Sequence, residues 1–254
     1  MKKWERFWIG GIAAVIFLLL WELATPLGLV NVSYISRPSL VAIAFVELLF
    51  SGEIFHHLVV SMKEFIFGFS LACIIGIPAG IIFARYRTLT LLFDPILMAL
   101  YTMPRLAMMP LLVVWFGAGL GATTAVVFLG VVFPVLVNTA VGIREVDPVW
   151  VRAVQSFGGR EWDIFVKVLL PGSIPPIMTG IRLGVGRGLL GVVVSEMYAG
   201  TEGIGHQIDL YGNAFRVAEL IALIAIISVL GFIAVNLVRS VEERVQRWGI
   251  EAEV

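Results

Sequence analysis

The stretch 151-VRAVQSFGGREWDIFVKVLLP-171 decides the architecture of this chain. It carries the charged residues Arg152, Arg160, Glu161, Asp163 and Lys167, and strongly apolar sequence flanks it on both sides. Each charge at the centre of a membrane helix would cost about 2.5–3.5 kcal/mol on insertion scales. The stretch is therefore predicted to lie in water while both flanks lie in lipid. An amphipathic segment anchored in this way offers a surface on which a partner protein can act.

The composition predicts an integral membrane protein. The chain has 254 residues, of which 59% are hydrophobic and 14% are charged. Soluble domains are about 45–50% apolar and about 25% charged. A formal net charge of zero argues against a nucleic-acid partner, which would need a basic surface. The single cysteine, Cys73, excludes an internal disulfide and a cysteine-based metal cluster.

Six apolar runs are long enough to cross a bilayer, which takes about 20 residues. They are Phe7–Ala24, Leu58–Ala84, Leu91–Phe116, Thr123–Ile143, Ile174–Ala199 and Glu219–Val238. The third run contains Pro95, Pro104 and Pro110, so a broken or kinked span is expected there. The predicted fold is an all-α membrane bundle of six helices, with residues 1–254 forming a single transmembrane domain.

Two features near the start refine this prediction. The first run resembles a signal peptide, but Trp21 and Glu22 stand where a small-residue cleavage site would follow, which favours a retained span. The loop of about residues 26–57 is predicted to contain one short helix, Leu40–Phe50, capped by Ser39 and too short to cross the membrane.

Basic residues predict the orientation, because cytoplasmic loops carry an excess of Lys and Arg. With six spans, both termini and the opening stretch share the side that holds most of these residues, so all of them are predicted to be cytoplasmic. The residues on that side are Lys2, Lys3, Arg6, Arg85, Arg87, Arg144, Arg152, Arg160, Lys167, Arg239, Arg244 and Arg247.

Small residues recur every four positions in two runs, which places them on one helix face and allows close backbone approach. Helix packing is the simpler interpretation, and a pathway lining or a sliding surface is the alternative. Both predict that the second and fifth spans lie in the interior of the bundle. The residues are Gly68, Ala72, Gly76 and Gly80 in the second span, and Gly180, Gly184 and Gly188 in the fifth.

Charges within the spans are the candidates for a translocation path: Arg105, Arg187 and Glu196. An arginine facing the path would favour a small anion, whereas the alternative is an ion pair between helices or a head-group contact. For Arg105 both interpretations stay open, and for Glu196 a structural partner is favoured. Arg187 and Glu196 are too far apart along a helix to pair directly. Arg182, near a span end, is predicted to contact lipid head groups.

No catalytic or metal-binding apparatus is evident in the sequence. The match Gly186–Gly191 to a dinucleotide fingerprint lies in an apolar helix with no preceding strand, which excludes that function. There is no P-loop, no nucleophile motif and no metal-ligand spacing. The chain is therefore predicted to be a transport subunit and not an enzyme. A secondary transporter driven by an ion gradient is the alternative, although neither inverted repeats nor an acidic relay is evident.

The opening stretch resembles the cytoplasmic loop of the permeases of ATP-binding-cassette importers, which has the form E-A-A-x3-G-x9-I-x-L-P. Gly158, Val168, Leu170 and Pro171 have this spacing, and Ala153 matches the first alanine. The chain departs from the pattern at three positions: Arg152 replaces the glutamate, Val154 the second alanine, and Gly159 the alanine that often follows the glycine.

The resemblance extends over most of the chain from about Phe65 onward. Asp94-Pro95, the segment from Pro104 to Gly117, and Ser195-Glu196-Met197 are similar to the nitrate, sulfonate and taurine branch of these permeases. This resemblance implies a bundle of the type I importer class in the bacterial inner membrane, which imports a small anion. It also implies that ATP and Mg²⁺ are bound by a separate ATP-binding subunit. It also implies an outer solute-binding protein and a second copy of the permease.

The same resemblance implies that the loop of about residues 144–171 docks on the ATP-binding subunit. A short helix near Pro148–Phe157 is predicted to present Val151, Val154 and Phe157 along one side. The alternative is a helix that merely lies on the membrane surface. The residues expected to couple are Val151, Arg152, Ala153, Val154, Phe157, Gly158, Gly159, Phe165 and Pro171.

Overall fold

Helices form all of the regular secondary structure in the computed structural model, which describes residues 3–28, 30–31 and 34–250. Lys2, used above in the orientation argument, lies outside the described residues. The helices are α1 (Lys3–Ala24), α2 (Pro38–Ser51), α3 (Glu53–Arg85), α4 (Arg87–Thr102), α5 (Met109–Phe116), α6 (Leu120–Arg144), α7 (Pro148–Ser156), α8 (Glu161–Ile164), α9 (Leu170–Ala199), α10 (Ile204–Asn213) and α11 (Val217–Ile250). The predicted all-α membrane fold is confirmed.

Four helices in the described part of the chain are long and apolar enough to cross a membrane alone. They are α3, α6, the continuous helix that ends with α9, and α11. Helix α4 and the following segment Arg105–Phe116 form a further pair bent by 83°. This break is the one predicted from the prolines of the third run. Helix α1 is apolar but shorter than the four, so the predicted count of six spans is approximate.

Helix α6 occupies the centre of the bundle. Two thirds of its apolar window is buried, against about one fifth of the windows of α3 and α9. The prediction that the second and fifth spans fill the interior is wrong for the single chain, because these two helices flank α6 and each leaves an opposite face exposed. Val127, Val131 and Val135 of α6 are fully buried between them.

Glycines allow this close packing. A Cβ atom at Gly80 of α3 would lie 2.6 Å from the Leu136 carbonyl oxygen and from Thr139 Cβ of α6. One at Gly180 of α9 would lie 2.9 Å from the Pro134 carbonyl oxygen. The four-residue spacing therefore serves helix packing, as its simpler interpretation predicted.

The loop helix α2 starts differently from the prediction. It begins at Pro38, two residues before Leu40, and Ser39 is not its cap. The Glu22 carboxylate of α1 instead accepts hydrogen bonds from the Ser39 backbone N–H (3.0 Å) and the Ser39 hydroxyl (2.8 Å). A carboxylate stabilises the N-terminal end of a helix by its charge as well as by the hydrogen bond, so α1 tethers α2 here.

Substituting Gly80→Ala is expected to destabilise the bundle by about 1–3 kcal/mol, because the added methyl group has no space against α6. The measurement is thermal unfolding of the purified protein in detergent. Gly186→Ala is the matched control, since nothing lies within 4 Å of a Cβ atom at that position in α9. Equal stability of the two variants would contradict the packing argument.

Candidate functional site

The candidate coupling loop runs from the end of α6 to the start of α9. Asp147 caps α7 by accepting a hydrogen bond from the Val149 N–H at 2.8 Å, and Pro148 occupies the first turn, where no donor is needed. Helix α7 ends at Ser156, and Gly158 then adopts a left-handed conformation with φ of 77°. The predicted glycine break between two short helices is confirmed.

Two departures from the family pattern lie against each other in this turn. A Cβ atom at Gly159 would collide with Val154 Cγ1 and would lie 2.9 Å from the Val154 carbonyl oxygen. The Gly159 N–H donates to that same carbonyl oxygen at 2.9 Å, which holds the turn closed. The larger side chain at 154 therefore fits because the residue at 159 has none.

The second short helix continues directly into the membrane. Arg160 N donates to Asp163 Oδ2 at 3.0 Å at the start of α8, and a π-helical turn, Phe165–Leu169, joins α8 to α9. Pro171 lies exposed in the first turn of α9. Proline has no N–H, so Pro171 cannot donate to the carbonyl group four residues earlier. The hydrogen-bond pattern of the helix therefore changes at the π-helical turn that precedes it.

Ion pairs and hydrogen bonds fasten the loop to neighbouring spans. Arg85 at the end of α3 pairs with Glu161 of α8 at 2.7 Å. Arg144 at the end of α6 donates to the Phe83 carbonyl oxygen at 2.8 Å and to Thr90 Oγ1 at 2.6 Å. These contacts connect the ends of α3, α4 and α6 to the loop.

Large apolar side chains of the loop face solvent. Phe157 is 92% exposed, the highest value for a large hydrophobic residue in the described chain, and Trp162 is 72% exposed. Val149 and Trp150 are each more than half exposed. Sequence reasoning missed Val149, Trp150 and Trp162, although their apolar type in a charged segment was a usable signal.

The predicted coupling residues divide into two groups. Arg152, Phe157 and Gly158 are exposed, as is Pro171. The other predicted residues are half-buried against the rest of the protein. Val151 and Val154 belong to this half-buried group and Phe157 does not, so the predicted single face of these three residues does not form. The members of the half-buried group are Val151, Ala153, Val154, Gly159 and Phe165.

Arg105 and Arg187 line one cavity of about 410 Å³ between the break in the third span and α9. Arg187 Nη2 donates to the Tyr101 hydroxyl at 2.7 Å, and its guanidinium carbon lies 4.9 Å from the centre of the Tyr101 ring. Arg187 Nη1 is buried without a hydrogen-bond partner. Tyr101 was not predicted, because only the tertiary fold brings α4 against α9.

Glu196 lies elsewhere, in contact with the start of α10. Only 1% of the residue is exposed, and Glu64 of α3, itself 2% exposed, is its neighbour. Three successive backbone N–H groups find side-chain acceptors here: Gly203 donates to His57 Nδ1 at 3.1 Å, Ile204 to Ser61 Oγ at 2.9 Å and Gly205 to Glu196 Oε2 at 2.7 Å. The role of Glu196 in this geometry is to hold α10 against α3 and α9.

Arg182 corrects another prediction. Its Nη1 pairs with Glu242 Oε2 of α11 at 2.8 Å, and Glu242 is 6% exposed. An ion pair between helices therefore replaces the predicted head-group contact. Glu242 is 60 residues away from Arg182 in the sequence, so no local pattern predicts this pair.

Residues 76–247 match the family described as binding-protein-dependent transport system inner membrane component. The chain belongs to this family. It is a multi-pass permease subunit of an importer of the ATP-binding-cassette class, and the resemblance drawn from the loop is confirmed.

Similar proteins cover nearly the whole permease. The Bacillus subtilis protein SsuC, whose name provisionally assigns it to aliphatic sulfonates transport, is 32% identical over 95% of this chain and 88% of its own length. The Escherichia coli taurine transport system permease protein TauC is 30% identical over 96% of this chain and 90% of its own length. Among solved structures, an amino acid ABC transporter superposes with a TM-score of 0.61 at 16% identity, over 80% of this chain and 97% of the other, which shows the shared fold.

The close contact between Val154 and Gly159 makes a double substitution informative. Gly159→Ala alone is expected to weaken the turn by about 1–3 kcal/mol, because the new methyl group overlaps Val154. Adding Val154→Ala is expected to restore part of this loss, since it removes the overlap with Cγ1 and leaves the approach to the Val154 carbonyl oxygen. Thermal unfolding of the permease with its partner subunits measures both effects as a double-mutant cycle.

Gly158→Ala separates strain from crowding. Its left-handed backbone is strained for alanine, so Val154→Ala is expected to give no rescue there. Additive effects of Gly159→Ala and Val154→Ala would contradict the compensation.

Proposed function

We propose that this permease carries a small organic sulfonate across the membrane and that the segment Pro148–Leu169 receives the ATP-binding subunit. ATP and Mg²⁺ are bound by that subunit, an outer solute-binding protein delivers the substrate, and two copies of the permease enclose the path. The permease itself performs no covalent chemistry. The observation that carries the proposal is the solvent-exposed aromatic surface on an otherwise charged loop.

The loop has the composition of a docking surface. Aromatic residues dominate binding energy at protein interfaces when a partner buries them. Phe157 and Trp162 are exposed on either side of the glycine turn, while Arg85 and Glu161 fasten the segment to α3. A push on this surface reaches the spans because the segment from Glu161 onward is continuous with α9.

The arrangement of the helices supports cytoplasmic termini. The Arg182–Glu242 pair puts the C-terminal part of α11 beside the first half of α9, at the loop end of the bundle. The contact of Glu22 with Ser39 puts the C-terminal end of α1 beside α2, which lies next to the start of α3. Both termini then share the side of the coupling loop, which is where the basic residues predict the cytoplasm.

The sulfonate class rests on two supports. The relatives at 30% identity or more include proteins named for aliphatic sulfonates and for taurine, which itself carries a sulfonate group. Arg105 and Arg187 also line a cavity at membrane depth, where a cation favours an anionic solute.

Replacing Phe157→Ala is expected to weaken binding of the ATP-binding subunit about thirtyfold, the effect of losing an interface hot spot of about 2 kcal/mol. Titration of the purified permease with its own ATP-binding subunit measures this affinity. The fold is expected to be unchanged, because the Phe157 side chain contacts little within the chain.

Phe232→Ala is the matched control for this titration, since Phe232 is 72% exposed on the apolar helix α11. It is expected to leave the affinity unchanged. Unchanged affinity in Phe157→Ala as well would contradict the docking surface.

ATP-driven uptake tests the transport function against secondary transport. Proteoliposomes containing permease, ATP-binding subunit and solute-binding protein are expected to accumulate labelled taurine or ethanesulfonate when they hold ATP and Mg²⁺. A non-hydrolysable ATP analogue is expected to abolish uptake. Uptake driven by an ion gradient without the ATP-binding subunit would overturn the proposal.

A further inference from the structure

The geometry points to Arg105, Arg187 and Tyr101 as one built anion site in the translocation path, which binds the sulfonate group of the solute through both guanidinium groups. The identity of the anion rests on the proposed function. The presence of an anion site rests on the geometry of the cavity alone.

Two separate elements bring the arginines together. Arg105 opens the 3₁₀ turn at the break of the third span, whereas Arg187 lies near the middle of α9. Gly130 of α6 makes room between them, since a Cβ atom there would lie 3.3 Å from Arg105 Nη1 and 3.5 Å from the Arg187 carbonyl oxygen. The break in the third span therefore brings the Arg105 guanidinium against α6, the central helix.

The Arg187 guanidinium is oriented but incompletely bonded. Tyr101 receives one of its hydrogen bonds and lies under the charged group. Nη1 is buried and has no partner. Buried donors of a charged group are nearly always satisfied, so Arg187 retains hydrogen-bonding capacity that the described part of the fold does not use.

No carboxylate neutralises the two arginines within the described part of the chain. None of the ion pairs there includes Arg105 or Arg187, although Arg182, five residues earlier on α9, has Glu242. Glu196 instead accepts a hydrogen bond from the Gly205 N–H at the start of α10. Two cations that share an otherwise largely apolar cavity repel each other, and an anion between them removes that repulsion.

The cavity suits a small sulfonate. Its volume of about 410 Å³ lies within the range of about 300–1,000 Å³ found for small-molecule sites. A sulfonate offers three equivalent oxygen atoms, and the planar guanidinium fork binds such groups through two parallel hydrogen bonds. Leu106, Val126 and Leu190 line the remainder and accommodate a short aliphatic chain.

The depth of the site favours a solute over a lipid head group. Arg187 is seventeen residues from the first residue of α9 and twelve from its last. At 1.5 Å per residue, both helix ends are more than about 15 Å away. A head group at the membrane surface does not reach this position.

Fluorine NMR of trifluoromethanesulfonate tests binding without transport. The probe is added to the complex of permease and ATP-binding subunit, purified in uncharged detergent without the solute-binding protein. We expect the probe signal to broaden with increasing complex and ethanesulfonate to reverse the broadening. Trifluoroethanol is a neutral control probe. Ethanesulfonate is expected to leave the width of its signal unchanged.

Arginine variants assign the binding to this cavity. Arg187→Gln and Arg105→Gln are each expected to weaken probe binding at least about tenfold, because each removes charge-assisted hydrogen bonds. Arg187→Lys keeps the charge but not the fork, and an intermediate affinity is expected. Arg239→Gln is the control, since Arg239 is exposed and pairs with Glu243 on α11.

The outcomes separate this inference from the proposed function. No competable broadening in the unmodified complex, or full broadening in the Arg105→Gln/Arg187→Gln double variant with an unchanged melting temperature, overturns the anion site. A double variant that has lost its fold is replaced by Arg187→Lys, where affinity equal to that of the unmodified complex overturns it. Failure of ATP-driven uptake of taurine and ethanesulfonate, with probe binding intact, overturns the proposed substrate and leaves the anion site standing.

Discussion

The close contact of α6 with α3 and α9 is the constraint on which the rest of the structure depends. Lipid tails are as apolar as side chains, so helices in a bilayer gain little from hiding apolar surface and must gain from tight packing. Glycines at four-residue intervals permit that packing, and the valines of α6 fill the space on both sides. The core is therefore a three-helix slab with α6 in the middle. The outer faces of α3 and α9 stay available for lipid or for a second copy.

Charged side chains of the membrane helices have two kinds of environment in this fold. Arg182 pairs with Glu242, and Glu196 accepts a hydrogen bond from the Gly205 N–H at the start of α10, so these residues strengthen contacts between helices. Arg105 and Arg187 are arranged differently, since both line a cavity and no acid of the described chain pairs with them. The difference matters because a charge at membrane depth that has no acidic partner and lines a cavity is typical of a solute or ion path.

The proposed coupling loop joins an exposed aromatic surface to a long membrane helix. Its exposed aromatic residues lie on a turn that Gly158 and Gly159 make possible, and its last helix continues without interruption into α9. The substitution of valine at 154 and of glycine at 159 preserves this turn by exchanging volume between neighbouring positions. Under the proposed function, recognition of the ATP-binding subunit and transmission to α9 depend on the same short segment.

Much of the fold was accessible before any coordinates. Apolar run lengths predicted the spans, prolines predicted the break near Pro104, and the glycine pair predicted the turn, because each is a local property of the backbone. The contact of Glu22 with Ser39, the partner of Arg182 and the cation–π contact of Tyr101 were not predictable. Each joins residues that are distant in the chain, and no local pattern records such pairs.

The sequence by itself determined the membrane class, the family and the position of the charged loop between α6 and α9, since hydropathy, charge and motif spacing are linear properties. Only the tertiary structure decided that α6 and not α3 or α9 is the central helix. It also decided that Arg105 and Arg187 share one cavity while Glu196 is committed to α10. The physical reason is that helix rotation and depth are set by packing against neighbours, and these determine which charges meet.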